Sequence, residues 1–454
     1  NDSDNQISEF TIKGSDWWVS NLEIWSGGYD LGQLGLSIND SETGSDRGIF
    51  SLQLWEWDTQ IDLQNTTITN LFLNGGTHDI SIGVDARIEN ILGSWYDEEL
   101  FISGYNREEA EANDKEWFAN IALIDLKGGN NYLEISSLDV ESIVSSGGND
   151  TIIINSIAAR DAADLKGDDL DYGNWIRSID LGRGNNTVVV NDGDVGSINS
   201  RRQDDVIDLN NSSVESITFG RGQNTLTLDN SNVNSVLGGG SIYNIDENGN
   251  ISDIDIIQCS GSIGSINLGG GKNIIDFSSG YIGSIKSDDG DDEITLGDTD
   301  VGQIDAGGGN NIITTTDGWV SSIIAIGGDN TITIGRGNWN EDKSVWVAAG
   351  SIMTIFGNNQ ITTGEAWVGQ ISKQATQSPQ CELVGLSTGK GKSIKSSPKK
   401  NHEPALRLIK LECLPIQPKP AFSANAFSST GALSTKARIP TLNAGMLAIN
   451  EVSV

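Results

Sequence analysis

A tetrad of aliphatic, any residue, Ser or Gln, aliphatic recurs along this chain at a fixed interval. It opens at Val195 (Val-Gly-Ser-Ile) and returns at Val214, Val233, Ile263, Ile282, Val301 and Val320, with spacings of 19, 19, 30, 19, 19 and 19. The single 30 is one period plus an 11-residue insertion in the polar stretch around Asp246 to Asp253. Upstream, Ile176 lies 19 before Val195, and Val140 lies 36 before Ile176 with the excess in Arg160 to Asp171. Phe118, Ile88, Ile68, Ile49 and Val19 continue the series less regularly, and Val368 to Ile371 makes one last tetrad. A fixed period of this length marks a stack of like units, each unable to bury its apolar face alone. The 454 residues therefore need not divide into several globular domains, because an array grows by adding coils.

Within one period the pattern is that of two short strands. From Ile176 the chain reads Ile-Arg-Ser-Ile-Asp-Leu, Gly-Arg-Gly-Asn-Asn, Thr-Val-Val-Val, Asn-Asp-Gly-Asp. Ile179 and Leu181 alternate and share one face; Val188 and Val190 do so on a second strand. Equivalent pairs are Ile217/Phe219 with Leu226/Leu228, and Ile266/Leu268 with Ile275/Phe277. Gly182 and Gly184 stand between the strands, where a tight turn calls for positive φ. The coil is thus strand, glycine-rich turn, strand, polar turn, with the leading Val or Ile also directed inward. All seven prolines follow residue 371, so none removes a donor from a strand. The expected fold is an all-β solenoid (β-roll or β-helix) of about 19-residue coils, two short strands per coil. About sixteen coils rising roughly 4.8 Å each make a rod of about 75 Å.

Charge narrows the partners. The chain carries 63 acidic and 28 basic residues, a formal net charge of −35. General nucleic-acid binding needs clustered Lys and Arg to displace phosphate counterions, and an anionic membrane surface repels such a chain. Cations are favoured, Ca²⁺ above all, because it takes carboxylate and carbonyl oxygens. Cys259, Cys381 and Cys413 make neither a disulfide framework nor a zinc pair. No run of 18 apolar residues suggests a membrane span. The chain starts at Asn1 without a basic-then-apolar leader, which reads as a processed chain or a fragment.

The glycine-rich turns read GRGNNTVVV (182–190), GRGQNTLTL (220–228), GGGKNIIDF (269–277), GGGNNIITT (307–315) and IGGDNTITI (326–334). SGGNDTIII (146–154), KGGNNYLEI (127–135) and DDGDDEITL (288–296) are of the same kind. They resemble the RTX, or hemolysin-type calcium-binding, nonapeptide G-G-x-G-x-D-x-U-x. The resemblance implies Ca²⁺ held between turns of successive coils by carboxylates and glycyl carbonyls. The Asp of that motif stands here at Asp150, Asp205 and Asp292; at Asn131, Asn186, Asn224, Asn273, Asn311, Asn330 and Asn359 it is Asn. The metal candidates carried over are therefore Asp150, Asp205, Asp288, Asp291 and Asp292, with calcium as the cofactor. The Asn column also has a structural reading: stacked amides can hydrogen-bond up and down a solenoid and satisfy turn backbone groups.

Catalysis has little to build on. His78 and His402 fall in different regions, and paired carboxylates are unremarkable on an acidic rod; no enzymatic activity is expected. Of 12 tryptophans, Trp17, Trp18, Trp25, Trp55, Trp57, Trp95 and Trp117 precede the regular repeat, and Trp319, Trp339, Trp346 and Trp367 gather near its far end. Their faces could stack on sugars or simply cap the apolar column. From Ser372 the composition changes: 11 Lys plus Arg face four acidic residues, and the period stops. This tail is expected to be disordered and foreign to the repeat, from a frame change or a fusion. The expected organisation is irregular solenoid coils over 1–117, the regular solenoid over 118–371 and the basic tail over 372–454.

Together these features point to a secreted or cell-surface repeat module with residual calcium binding, a structural or adhesive segment of a larger RTX-like protein. Expected partners are calcium ions and a surface polysaccharide or another protein, with no nucleic acid. A carbohydrate-binding or carbohydrate-processing β-helix and a metal-free structural spacer are the alternatives.

Overall fold

A computed structural model of the chain describes residues 10–12, 18–25, 34–39, 48–55, 58–64, 66–83, 86–104, 119–155, 175–240, 256–340, 345–364 and 366–373, and three short strands at 386–388, 408–411 and 449–452. Every named element is a β-strand. No helix of the described residues is long and apolar enough to cross a membrane. The chain winds as a β-solenoid in which each coil gives one strand to each of two parallel sheets.

The 19-residue period is the register of these sheets. In the first sheet Ile176 pairs with Val195, Val195 with Val214 and Val214 with Val233. The column resumes as Ile263, Ile282, Val301 and Val320. In the second sheet Val188, Ile207 and Leu226 are in register, followed by Ile257, Ile275, Ile294, Ile313, Ile332 and Ile361. Identical columns arise because parallel strands stacked in register place residue i of every coil above its equivalent.

Five apolar side chains per coil meet between the sheets. In the coil from Ile176 these are Ile176, Ile179, Leu181, Val188 and Val190, all fully buried. The first strand is not a simple alternation, since its inward residues are spaced three and then two apart. Arg177 and Gly196 are passed over in the register between neighbouring coils. The skip falls on both partners, so the 19-residue register is kept while the leading aliphatic residue faces the core. Each buried Val or Ile contributes roughly 1.5–3 kcal/mol by leaving water, and the column is continuous from Ile49 to Ile361.

The irregular coils obey the same register. Val19 pairs with Ile49, Ile49 with Ile68 and Ile68 with Ile88. One expected start is corrected. Ile121, not Phe118, pairs with Val140, which restores a full period of 19 at that point. Phe118 itself lies outside the described residues. One later start went unseen in the sequence because Ala349 replaces the usual Val or Ile. Ala349 pairs with Val320 on one side and Val368 on the other. The extra residues between Val320 and Ala349 include an antiparallel hairpin, Asn338–Asn340 with Val345–Val347. This insertion does not disturb the stack, since Ala349 keeps its place in the first-sheet column.

Most of 372–454 lies outside the described residues, and so does the expectation that it is disordered. Leu386–Thr388 adds one rung to the second sheet by pairing with Ile361 to Thr363.

Candidate functional site: the glycine-rich turn edge

The residues singled out by the RTX-like motif all fall on one long edge of the solenoid, where the first strand turns into the second. The geometry there is a pair of side-chain ladders. The inner ladder consists of Asn131, Asp150, Asn186, Asp205 and Asn224, and then Asn273, Asp292, Asn311, Asn330 and Asn359. All but Asn359 are essentially buried. Each backbone N–H donates to the side-chain Oδ1 of the next coil: Asn131 to Asp150 at 2.9 Å, Asp150 to Asn186 at 3.0 Å, Asn186 to Asp205 at 2.9 Å. The run from Asn273 to Asn359 repeats this, at 2.9 to 3.0 Å.

The residue before each rung builds the outer ladder, with the opposite polarity. Here the backbone N–H donates back to the preceding coil: Asn130 to Asp97, Asn149 to Asn130, Asn185 to Asn149 and Asp204 to Asn185. Asp291, Asn310, Asp329 and Asn358 continue it. This explains the paired polar residues of every turn. In Asn185–Asn186 one amide N–H reaches backward to Asn149 and the other forward to Asp205. Turn N–H groups that would otherwise be orphaned are satisfied by the coils on either side.

Asn and Asp are not equivalent rungs. The Asn amide has donors to spare, and its Nδ2 returns to its own turn: Asn186 to Gly184 O at 3.0 Å, Asn311 to Ala306 O at 3.0 Å, Asn330 to Gly327 O at 2.8 Å. An ionised Asp has no donor, so its Oδ2 cannot make the bonds to turn carbonyls that the Asn Nδ2 makes. The sequence compensates locally. Five positions before Asp150, Asp205 and Asp292 stand the buried serines Ser145, Ser200 and Ser287. Five before Asn131, Asn186, Asn224, Asn273, Asn311 and Asn330 stand Leu126, Leu181, Phe219, Leu268, Ala306 and Ala325. Only Asn359, with Thr354, departs from this pairing among the described rungs.

At Asp150 the serine is within hydrogen-bond distance: Ser145 Oγ lies 2.6 Å from Asp150 Oδ2 and 2.6 Å from Leu181 O. A hydroxyl has one proton. With Asp150 ionised, Ser145 can serve only one of these acceptors; with Asp150 protonated, the carboxyl donates to Ser145 and Ser145 donates to Leu181. At Asp205 and Asp292 the serines are close enough to lower the carboxyl pKa somewhat. Yet neither Oδ2 has a partner of hydrogen-bond geometry. Burial dominates, and both carboxyls are pushed from 3.8 up to about 6. Asp150 is raised for the same reason. Glu98 serves as the rung below Asn131: its N–H donates to Asn131 Oδ1 at 3.1 Å. Its Oε1 accepts from Ser94 Oγ at 2.5 Å, and burial raises its pKa.

Of the five expected metal ligands, Asp150, Asp205 and Asp292 are therefore inner rungs, whereas Asp288 and Asp291 are exposed. They do not converge. Asp150 and Asp205 are separated by the Asn186 rung, a distance of about two strand spacings or 10 Å, too far for one ion with ligands at about 2.4 Å. Asp291 Oδ1 accepts the Asn310 N–H at 2.6 Å, and Asp288 pairs with Lys286 at 3.0 Å. Among the described residues no group of three His, Cys, Asp or Glu side chains is disposed to hold a metal. These side chains do not fit an ion sandwiched between turns.

The serines, Glu98 and His78 were not recognised from the sequence. The serines could have been, because they co-occur with Asp at a constant offset. His78 is fully buried, its Nδ1 2.7 Å from Thr59 Oγ1 and its Nε2 without a partner. Desolvation lowers its pKa to about 4, so it is a neutral core residue at ordinary pH.

No protein-family model matches the chain, and no curated protein or solved structure matches it.

Proposed function

We propose that this protein is an extended extracellular scaffold, a stalk or adhesive segment displayed at a cell surface, whose turns are fastened by side-chain ladders in place of ions. The observation that carries the reading is the pair of ladders of opposite polarity. Together they give most rungs' N–H groups a side-chain acceptor in an adjacent coil. A rod of this kind needs no enclosed cavity and grows by adding coils. Its acidic surface keeps so repetitive a molecule soluble.

Calcium belongs to a second reading. Asp288, Asp289 and Asp291 are all exposed on one turn, and their summed negative charge would attract a loosely held cation without a convergent set of ligands. Thermal unfolding followed by circular dichroism, with Ca²⁺ in the millimolar range and then with chelator, separates the two. An ion bound at 100 times its dissociation constant would add about 2.7 kcal/mol. The ladder reading expects superimposable melts. A rise in melting temperature with Ca²⁺ that disappears when Asp288 and Asp291 are together replaced by Asn would overturn it in favour of an ion-stapled module.

A further inference from the structure

The turn edge also carries an outward-facing line of residues, three positions before each inner rung. Over six successive coils this line reads Trp95, Gly128, Gly147, Arg183, Arg202 and Arg221. From its chemistry we propose that it is a binding strip for a linear acidic polysaccharide lying along the rod.

The three arginines are in direct register, Arg183 bridged to Arg202 and Arg202 to Arg221. All three are exposed, and none has an ion pair among the described residues. Like charges stacked one strand apart repel. The row therefore carries a cost that an anionic ligand would relieve. Arg183 lies between Gly182 and Gly184, and Arg221 between Gly220 and Gly222. The flanking glycines are required by the turn, since a Cβ at any of them would come within 2.3 Å of the backbone of the preceding coil. The neighbouring Arg201 is already engaged by Asp180, at 3.2 and 2.7 Å.

The other end of the line is aromatic. Trp95 is 78% exposed. Its indole lies over Gly128, where an added Cβ would come 2.6 Å from Trp95 Cε3. The ring is thereby laid against the edge with its other face open, a platform on which a pyranose can stack. Between platform and arginines, Gly147 leaves a gap without a side chain, where an added Cβ would meet only Arg183 O at 3.8 Å. Five steps of about 4.8 Å separate Trp95 from Arg221, so the strip runs roughly 24 Å and presents one positive charge per coil over its last three coils. A polysaccharide with anionic groups spaced along its chain matches this combination. A nucleic acid carries a far denser charge and meets a protein of net charge −35.

The strip supplies a ligand class for the adhesive rod proposed above and rests on that reading only for its biological setting. The test is titration of the full chain with polygalacturonate and with dextran sulfate, and with neutral dextran as control. Both anionic polymers should bind and dextran should not, whichever of carboxylate or sulfate is preferred. Replacing Arg183, Arg202 and Arg221 together by Gln should raise the dissociation constant at least about tenfold. Trp95→Ala should weaken binding, Arg177→Gln should not, and the melting temperature of the triple variant should not fall. Unchanged binding by the triple variant would place the anion elsewhere, on the basic tail for example, and overturn the proposal. So would equal binding of dextran, or tighter binding of a single-stranded oligonucleotide. Those outcomes leave the calcium-independent melt, and with it the scaffold reading, untouched.

Discussion

Replacing Asp292 by Asn should stabilise this protein at neutral pH, and the size of the gain follows from the carboxyl's surroundings. Asp292 is buried, its Oδ1 accepts the N–H and the Nδ2 of Asn273, and its Oδ2 has no hydrogen-bond partner. Burial raises its pKa from 3.8 to about 6. A folded-state pKa above the unfolded value means that the group's stabilisation is complete below about pH 4 and is lost as pH rises through about 6. A shift of about two units corresponds to roughly 3 kcal/mol lost by pH 7, and relaxation of the site makes this an upper bound. Asn keeps the accepting Oδ1 and supplies Nδ2 donors, as Asn311 does in the next coil. The expected gain is therefore about 1–3 kcal/mol at pH 7, shrinking to under about 1 kcal/mol near pH 4. Chemical denaturation of both proteins from pH 4 to 8 measures it. Comparison within a pair cancels the general easing of charge repulsion on acidification. The nearest other carboxylate is Asp291, on the exposed ladder, which raises the Asp292 pKa a little further. Asp205→Asn should behave alike, and the two should add because several coils separate them. A loss of stability at pH 7, or a gap that does not change with pH, would refute the argument.

Ser145→Ala removes the hydroxyl facing Asp150 Oδ2 and should cost about 1–3 kcal/mol by leaving a buried acceptor unsatisfied. Adding Asp150→Asn to it should recover most of that loss, which a double-mutant cycle in denaturant will show. Gln203 has φ of 78° in a column otherwise occupied by glycines such as Gly184 and Gly222. Gln203→Gly should therefore raise stability by up to about 1 kcal/mol by relieving left-handed strain, measurable as a higher melting temperature.

Much of the fold was open to a reader of the sequence, because a solenoid converts spacing into register. Once Val195, Val214 and Val233 are seen 19 apart, their stacking in one column follows. So does the inward direction of Ile198 and Ile217, because parallel coils repeat each environment. The reading failed where a column's chemistry changed. Ala349 has too small a side chain to signal a coil start, and Phe118 drew attention from Ile121, whose pairing with Val140 keeps the period.

The candidate site divides differently. That Asp150, Asp205 and Asp292 share a turn position with seven Asn residues is a matter of sequence alone. Whether they coordinate an ion or act as rungs depends on what lies one coil away, and those neighbours are 19 to 36 residues distant. Stacking brings a backbone N–H from an adjacent coil to each Oδ1 and buries the carboxyl enough to shift its ionisation, whereas the serine near each Oδ2 comes from the same turn. The same stacking turns Arg183, Arg202 and Arg221 from scattered cations into a row. Composition and period determine that a rod forms and which residues line it. The distance between coils, set by the hydrogen-bonding of parallel strands, decides which of those residues meet.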